Sequence, residues 1–239
     1  MFVLLISDIH SNLAALGAVV QDAEADFDID ETWALGDLVG CGPDPAECLK
    51  HLRSKTAIGV AGNHDLAVAG VISTELFNPM ASAATERTRT LRGEADIAWL
   101  GALPTQLKHH GITLVHGSPR NPIWEYVDGE VVLSDLSSRG IAVGHTHSFA
   151  IFERSEGSTN RIRVEYSAWH SLAMVPFLVN PGSVGQPRDS NPTASYAILD
   201  LTHEAITHRR VDYDFERTIK LIQDSELPNF LADRLRSGI

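Results

Sequence analysis

The sequence predicts an α/β fold of two mixed β-sheets flanked by helices, and three observations carry that prediction. Phe2 to Ile6 is a five-residue apolar run followed by a polar turn and a helical pattern, the unit of a mostly parallel sheet. Four more apolar runs, 32–35, 57–61, 112–115 and 141–143, also end in Asp, Asn or His. From Phe149 the pattern becomes strand after strand, so a second sheet is the natural outcome.

Phe2 to Ile6 is too short for a helix and reads as the first strand. Ser11 or Asn12 can cap the helix that follows, whose apolar positions Leu13, Leu16, Val19, Val20 and Ala23 keep helical spacing. Thr32 to Leu35 is the second strand, and Pro45 opens a helix to about Arg53. Ala57 to Ala61 is the third strand. Between Leu66 and Leu103 the helical stretches Ala81 to Leu91 and Glu94 to Leu100 admit two readings, a cover over a site or ordinary packing helices. Thr105 to His109 and Ile112 to His116 form a hairpin turned at His110-Gly111, and a helix is expected from about Val127 to Ser138. Strands are then expected at Ile141 to Val143, Phe149 to Glu153, Arg161 to Tyr166, Val175 to Val179, Tyr196 to Leu201 and Ala205 to Val211. Phe215 to Leu221 and Leu227 to Leu235 read as closing helices.

The 239 residues, 44% of them hydrophobic, allow a sizeable core, and no repeat or linker divides them, so one domain over 1–239 is expected. Nineteen Lys and Arg against 31 Asp and Glu give a net charge of -12, which repels nucleic acid and anionic membrane unless a local cationic site intervenes. No run approaches the ~18 apolar residues of a membrane span and no basic leader precedes Phe2, so a cytoplasmic protein is expected. Cys41 and Cys48 lack Cys-x-x-Cys spacing and read as reduced thiols.

The five strand ends carry the chemistry: Asp8-Ile9-His10, Gly36-Asp37, Gly62-Asn63-His64-Asp65, His116-Gly117 and Gly144-His145-Thr146-His147. A doubly wound sheet places its functional groups at such carboxyl ends. Carboxylate, imidazole and one carboxamide, with no thiolate, favour Mn, Fe, Zn, Co or Ni over a calcium cage or an iron–sulfur cluster. Asp8, His10, Asp37, Asn63, His116, His145 and His147 are too many ligands for one ion. Two divalent ions sharing one carboxylate use them all, and ions ~3.5 to 4 Å apart suit in-line displacement at phosphorus.

In that order the motifs resemble the calcineurin-like metallophosphoesterases over roughly residues 1 to 150, and Asn180-Pro181-Gly182-Ser183 resembles their bacterial and archaeal phosphodiesterase-like branch. The resemblance implies a sandwich of two mixed sheets flanked by helices and a metal-dependent phosphohydrolase. It implies that Asp8, His10 and His147 hold one ion, that Asn63, His116 and His145 hold the other, and that Asp37 bridges them. A bridging hydroxide is the implied nucleophile, and His64 the implied proton donor to the leaving alkoxide; the other reading of His64 is a residue hydrogen-bonded to a ligand. The Ser/Thr protein phosphatase branch continues its second motif with an Asp and a phosphate-gripping Arg, where this chain has Gly40 and Cys41, and ends its central motif in Glu, where this chain has Asp65. A phosphodiesterase is therefore favoured, with a phosphomonoesterase, nucleotidase or dinucleotide-polyphosphate hydrolase as the alternative and a non-catalytic scaffold as a remote one. The partner that orients His64 stays open between Asp65 and Asp8.

Arg120 and Arg188 lie in polar loops near the motifs and suit bidentate phosphate recognition. Asn180 and Ser183 follow a strand and could bond a small phosphoester substrate, although the turn reading leads. Trp169, His170 and Met174 fit a substrate rim or a homo-oligomer interface.

Overall fold

The computed structural model describes residues 1–55, 57–90, 93–127, 138–155, 158–172 and 176–239. Among the described residues twelve strands form two six-stranded mixed sheets. The first contains β1 (Phe2–Ile6), β2 (Ile29–Ala34), β3 (Ile58–Gly59), β9 (Trp169–Ser171), β11 (Ala194–Asp200) and β12 (Ala205–Val211), in the order β3-β2-β1-β11-β12-β9. The second contains β4 (Gln106–His109), β5 (Ile112–Val115), β6 (Gly140–Ala142), β7 (Phe149–Ser155), β8 (Ser158–Ile162) and β10 (Phe177–Pro181), in the order β4-β5-β6-β10-β7-β8. β1, β2 and β3 are parallel, as are β5, β6 and β10, and the remaining pairs are antiparallel.

The strand period sorts the core into layers. Val3 and Leu5 of β1 face the other sheet and pack with Trp33, Ile112, Leu114 and Phe177. Leu4 and Ile6 point the other way, onto Leu16 and Val19 of α1 (Leu13–Asp26) and Leu49 of α2 (Pro45–Ser54). Asn12 caps α1 by accepting the Ala15 amide, and Pro45 occupies the first turn of α2. α6 (Phe215–Gln223) and α7 (Phe230–Ser237) pack through Ile219, Ile222 and Leu231 against Ala84 of α4 (Pro79–Thr90). α5 (Glu94–Ala102) buries Leu100 in the α1 layer. Among the described residues no helix is long and apolar enough to cross a membrane.

The structure departs from the sequence reading in several places. The third strand shrinks to Ile58–Gly59, because the Ala61 amide turns away to the Pro104 carbonyl. The polar turn after it is the start of a helix, α3 (Asn63–Val68). The strand expected at Arg161 to Tyr166 begins three residues earlier and ends at Ile162. β9 was not foreseen; it lies on the edge of the first sheet, where Trp169 packs on Phe2 and Phe27 and His170 lies 2.7 Å from Glu153. The expected helix to Ser138 falls largely on 128–137, outside the described residues, as do Leu91, Met174 and Val175.

Candidate metal and phosphate site

β1, β2, β3, β5 and β6 deliver their carboxyl ends to one place. The β1–β2 pairing runs on into the motif loops: the Asp8 amide donates to the Gly36 carbonyl at 3.1 Å and the His10 amide to the Asp37 carbonyl at 2.9 Å. These loops use left-handed backbone at non-glycine residues, with positive φ at Asp8, His10, Ser11, Asp37, His145 and His147. Such conformations are costly and concentrate at functional sites. Gly62 serves a different purpose from the tight turn its type suggests. Its φ of -93° suits any residue, but a Cβ there would meet the Asp37 amide nitrogen at 2.4 Å. Glycine is required because the two loops touch.

Two groups of donors result, Asp8, His10, Asp37 and His147 in one and Asp37, His116 and His145 in the other, each with its donor atoms within 4.8 Å of one another. Asp37 is common to both. His10 Nε2 lies 3.2 Å from His147 Nε2, His147 Nε2 is 3.2 Å from Asp8 Oδ1, and His116 Nε2 is 3.4 Å from Asp37 Oδ2 and 3.0 Å from His145 Nδ1. Two of these rings are oriented from behind. His147 Nδ1 donates to the Gln186 carbonyl at 2.6 Å and His116 Nδ1 to the Leu35 carbonyl at 2.8 Å, which turns Nε2 of each inward. Asp8 Oδ1, Asn63 Oδ1 and His145 Nε2 are buried without a hydrogen-bond partner. Orphaned buried acceptors are expensive, and oxygen and imidazole donors converging in this way fit divalent cations.

The electrostatics are divided within the cluster. Burial alone would raise the Asp37 carboxyl, but the His116, His64 and His10 rings hold it well below its usual value. Burial would lower His116, and the Asp37 charge instead raises it to about 9. Burial lowers His10 and His147 well below their usual value and takes His145 to about 3, so these rings are neutral, the ligating form. Burial and the Asp37 charge push Asp8 and Asp65 up to about 7.

Neither carboxylate offered for orienting His64 bonds its ring: Asp8 Oδ2 accepts the His145 amide at 3.2 Å and its Oδ1 has no hydrogen-bond partner. Asp65 spends its oxygens on backbone, accepting the Leu38, Val39 and Gly62 amides. Asp37 Oδ1 accepts the His64 amide, not its ring. The ring has Thr85 Oγ1 3.5 Å from Nδ1, packs on Phe77 at a tilt of 36° with centroids 4.7 Å apart, and leaves no room for a side chain at Gly40, whose Cβ would fall 2.7 Å from Nδ1.

The site opens into a cavity whose wall includes His64, His145, His147, Arg188 and, from the 66–103 segment, Leu76 and Phe77. Arg188 thus reaches the cavity, whereas Arg120 pairs outside it with Glu125. Asn180 is 1% exposed, and its amide donates to the Gly144 carbonyl at 2.6 Å and to Thr146 Oγ1 at 3.0 Å. Ser183 donates to the Asp8 carbonyl at 2.8 Å. This Asn-Pro-Gly-Ser turn fastens the motif loops. Trp169 and His170 are absent from the cavity wall. Sequence reasoning missed Tyr126, which stacks on His145 with centroids 4.1 Å apart, and Arg234 of α7, which lines the cavity. An arginine in a closing helix carries no sequence signal for either placement.

Fold and site together define the class, a metal-binding hydrolase of phosphoester bonds. The chain belongs to the calcineurin-like phosphoesterase superfamily, whose domain profile matches residues 1–204. It is similar to the crystal structure of a metallophosphoesterase from Sphaerobacter thermophilus, at 36% identity and a TM-score of 0.90 over 100% of this chain and 99% of that one. An uncharacterised protein of Methanocaldococcus jannaschii is 35% identical over 240 residues, 98% of this chain and 96% of that protein. A symmetrical bis(5'-nucleosyl)-tetraphosphatase of Nitrosococcus oceani is 31% identical over 142 residues, 56% of this chain and 49% of that enzyme, so the match spans about half of its length. The superfamily uses divalent metal ions.

Proposed function

We propose that the protein is a dinuclear-metal phosphodiesterase that cleaves a P–O ester bond of a small phosphoester. The carrying observation is the convergence of bare, buried donors, Asp8 Oδ1, Asn63 Oδ1 and His145 Nε2, around an Asp37 carboxylate shared by both ligand groups. In this reading Asp8, His10 and His147 would hold one ion and Asn63, His116 and His145 the other, with Asp37 common to both. Such ions, with manganese, iron, zinc, cobalt or nickel suited to these donors, supply polarisation of the phosphoryl oxygens and acidify attacking water.

The chain's own residues do the rest. The main-chain carbonyls of Gln186 and Leu35 fix two ligand rings. Thr85 gives its hydroxyl proton to the Ala81 carbonyl at 2.9 Å, so its oxygen can only accept from His64 Nδ1. Burial lowers the His64 ring below its usual value, so the proton that its Nε2 would deliver to the leaving oxygen is one stabilised by the charge of the bound phosphoester. Leu76 and Phe77 on the cavity wall support a covering role for part of 66–103. A second reading, hydrolysis of a dinucleotide polyphosphate, is favoured by the similarity to the tetraphosphatases.

The test is hydrolysis of bis(4-nitrophenyl) phosphate by protein loaded with Mn, Ni or Co, beside 4-nitrophenyl phosphate and diadenosine tetraphosphate. Turnover of the diester at least tenfold above the monoester is expected. Absence of turnover on all three, in protein holding two metal equivalents, overturns the reading.

A further inference from the structure

Arg188 and Arg234 both line the cavity, and the metal cluster uses neither as a ligand. They come from opposite parts of the fold, the loop after β10 and helix α7, yet they meet on one atom. Arg188 Nη2 and Arg234 Nη1 each donate to Gln186 Oε1 at 3.0 Å. Among the described residues neither guanidinium has an Asp or Glu carboxylate in ion-pair range, although the chain carries 31 Asp and Glu against 19 Lys and Arg, and Arg234 spends its Nε on the Ile239 oxygen at 2.6 Å. Arg188 Nε is buried without a partner. Burial and the neighbouring Arg188 charge hold the Arg234 guanidinium below its usual value. Two like charges set side by side in half-buried ground, with an amide oxygen as their shared acceptor, suit an anion.

Its position gives the anion's place in a substrate. Arg188 and Arg234 share the cavity wall with Asp37, Asn63, His145 and His147 of the metal cluster. Phe230, 55% exposed, lies under the Arg234 guanidinium at 5.5 Å, and Tyr126, 57% exposed, adds a second ring face on the cavity wall. Guanidinium groups backed by ring faces suit a phosphate chain that ends in a nucleoside.

We propose that Arg188 and Arg234, bridged by Gln186, form a subsite for a second phosphate, so that the substrate class is a nucleoside or dinucleoside polyphosphate whose scissile phosphorus sits over the metal cluster. The inference rests on the phosphohydrolase reading and selects among its substrates. In the reaction water oxygen bonds to phosphorus, the P–O bond to the leaving phosphate or alkoxide breaks, the leaving oxygen takes one proton and one is released to solvent.

Two measurements on Arg234→Gln test it, with Arg236→Gln, an exposed neighbour on the same helix paired with Glu216, as the control. The first is the ratio of kcat/KM for diadenosine tetraphosphate to that for bis(4-nitrophenyl) phosphate. It should fall at least tenfold in Arg234→Gln, mainly through KM, and stay within twofold in the control. The second is calorimetric binding of tripolyphosphate and of orthophosphate to metal-free protein. Wild type should bind tripolyphosphate at least tenfold more tightly than orthophosphate, and Arg234→Gln should lose that preference. An unchanged ratio, or equal binding of the two anions by wild type, overturns the subsite. If metal-loaded wild type hydrolyses neither ester, the reaction reading fails while the binding experiment still decides the anion site.

Discussion

Oδ1 of Asp65 accepts the Leu38 amide at 2.9 Å, joining the first turn of α3 to the loop that carries Asp37. The same oxygen takes the Val39 amide at 3.1 Å, and Oδ2 takes the Gly62 amide at 2.9 Å. One carboxylate thus satisfies three buried donors from two motifs. Asp65→Ala would strand all three, at about 1–3 kcal/mol each. Urea unfolding should show a loss of at least about 3 kcal/mol, and Asp65→Asn, which keeps one acceptor oxygen, should fall between. A loss under about 1 kcal/mol in Asp65→Ala would mean that the loop is held elsewhere.

Asp37 and Asn63 separate metal binding from folding. Asp37 is shared by both donor groups and Asn63 has a bare buried oxygen, so under the proposed assignment Asp37→Ala weakens both ions and Asn63→Ala one. Loss of an outer partner of a ligand costs about 10–100-fold in affinity or activity; loss of a ligand should exceed that. Elemental analysis is expected to find well under one equivalent in Asp37→Ala and about one in Asn63→Ala, with diester hydrolysis abolished in both and far-ultraviolet circular dichroism unchanged. Full metal occupancy in either variant would remove that residue from the ligand set.

The strands that end at the site were legible because each is a short apolar run closed by a polar residue, a local pattern. That is why β1, β2, β5 and β6 lie close to where the sequence puts them. The failures are non-local. Ala61 leaves the strand pattern for a carbonyl 43 residues away, Asp65 serves amides 26 and 27 residues upstream, and Asn180 serves a carbonyl 36 residues back. Periodicity carries no information about such pairings. Gly62 reads as a turn residue when its purpose is the approach of Asp37, and Arg234 reads as part of a closing helix until the fold sets it beside Arg188. The residue types announced a metal chemistry, but which residues hold the loops and which face the cavity depended on tertiary contacts.

His208, away from the site, gives the fold a pH dependence of defined sign. Burial and the Arg210 charge lower it from an ordinary 6.5 to about 3. Ser195 donates to the Pro181 carbonyl, so its oxygen accepts from the neutral ring's Nε2 at 2.9 Å. A depressed histidine means that the unfolded chain binds the proton more readily. The contribution is fully present above about pH 6.5 and is lost as pH falls toward 3, by about 2 kcal/mol at pH 5. His208→Gln should therefore lose less stability than wild type between pH 7 and 5 in parallel urea titrations. Parallel pH curves for the two proteins would show that the ring is not held neutral.

His64 should reveal its task through the leaving group. Its ring stands on the cavity wall between Phe77 and Gly40, with Thr85 as the acceptor in range of Nδ1. If its protonated Nε2 feeds the leaving oxygen, its removal matters most when that oxygen is basic. A positioned general acid contributes about 10²–10⁴-fold, whereas nitrophenolate departs without help. In His64→Ala, an alkyl phosphodiester should therefore lose about 10²-fold or more in kcat, and bis(4-nitrophenyl) phosphate less than about tenfold, with the metal content of wild type. A residue that merely braced a ligand would depress both substrates alike and lower the metal content, so the ratio of the two losses, measured beside elemental analysis, separates proton donation from support.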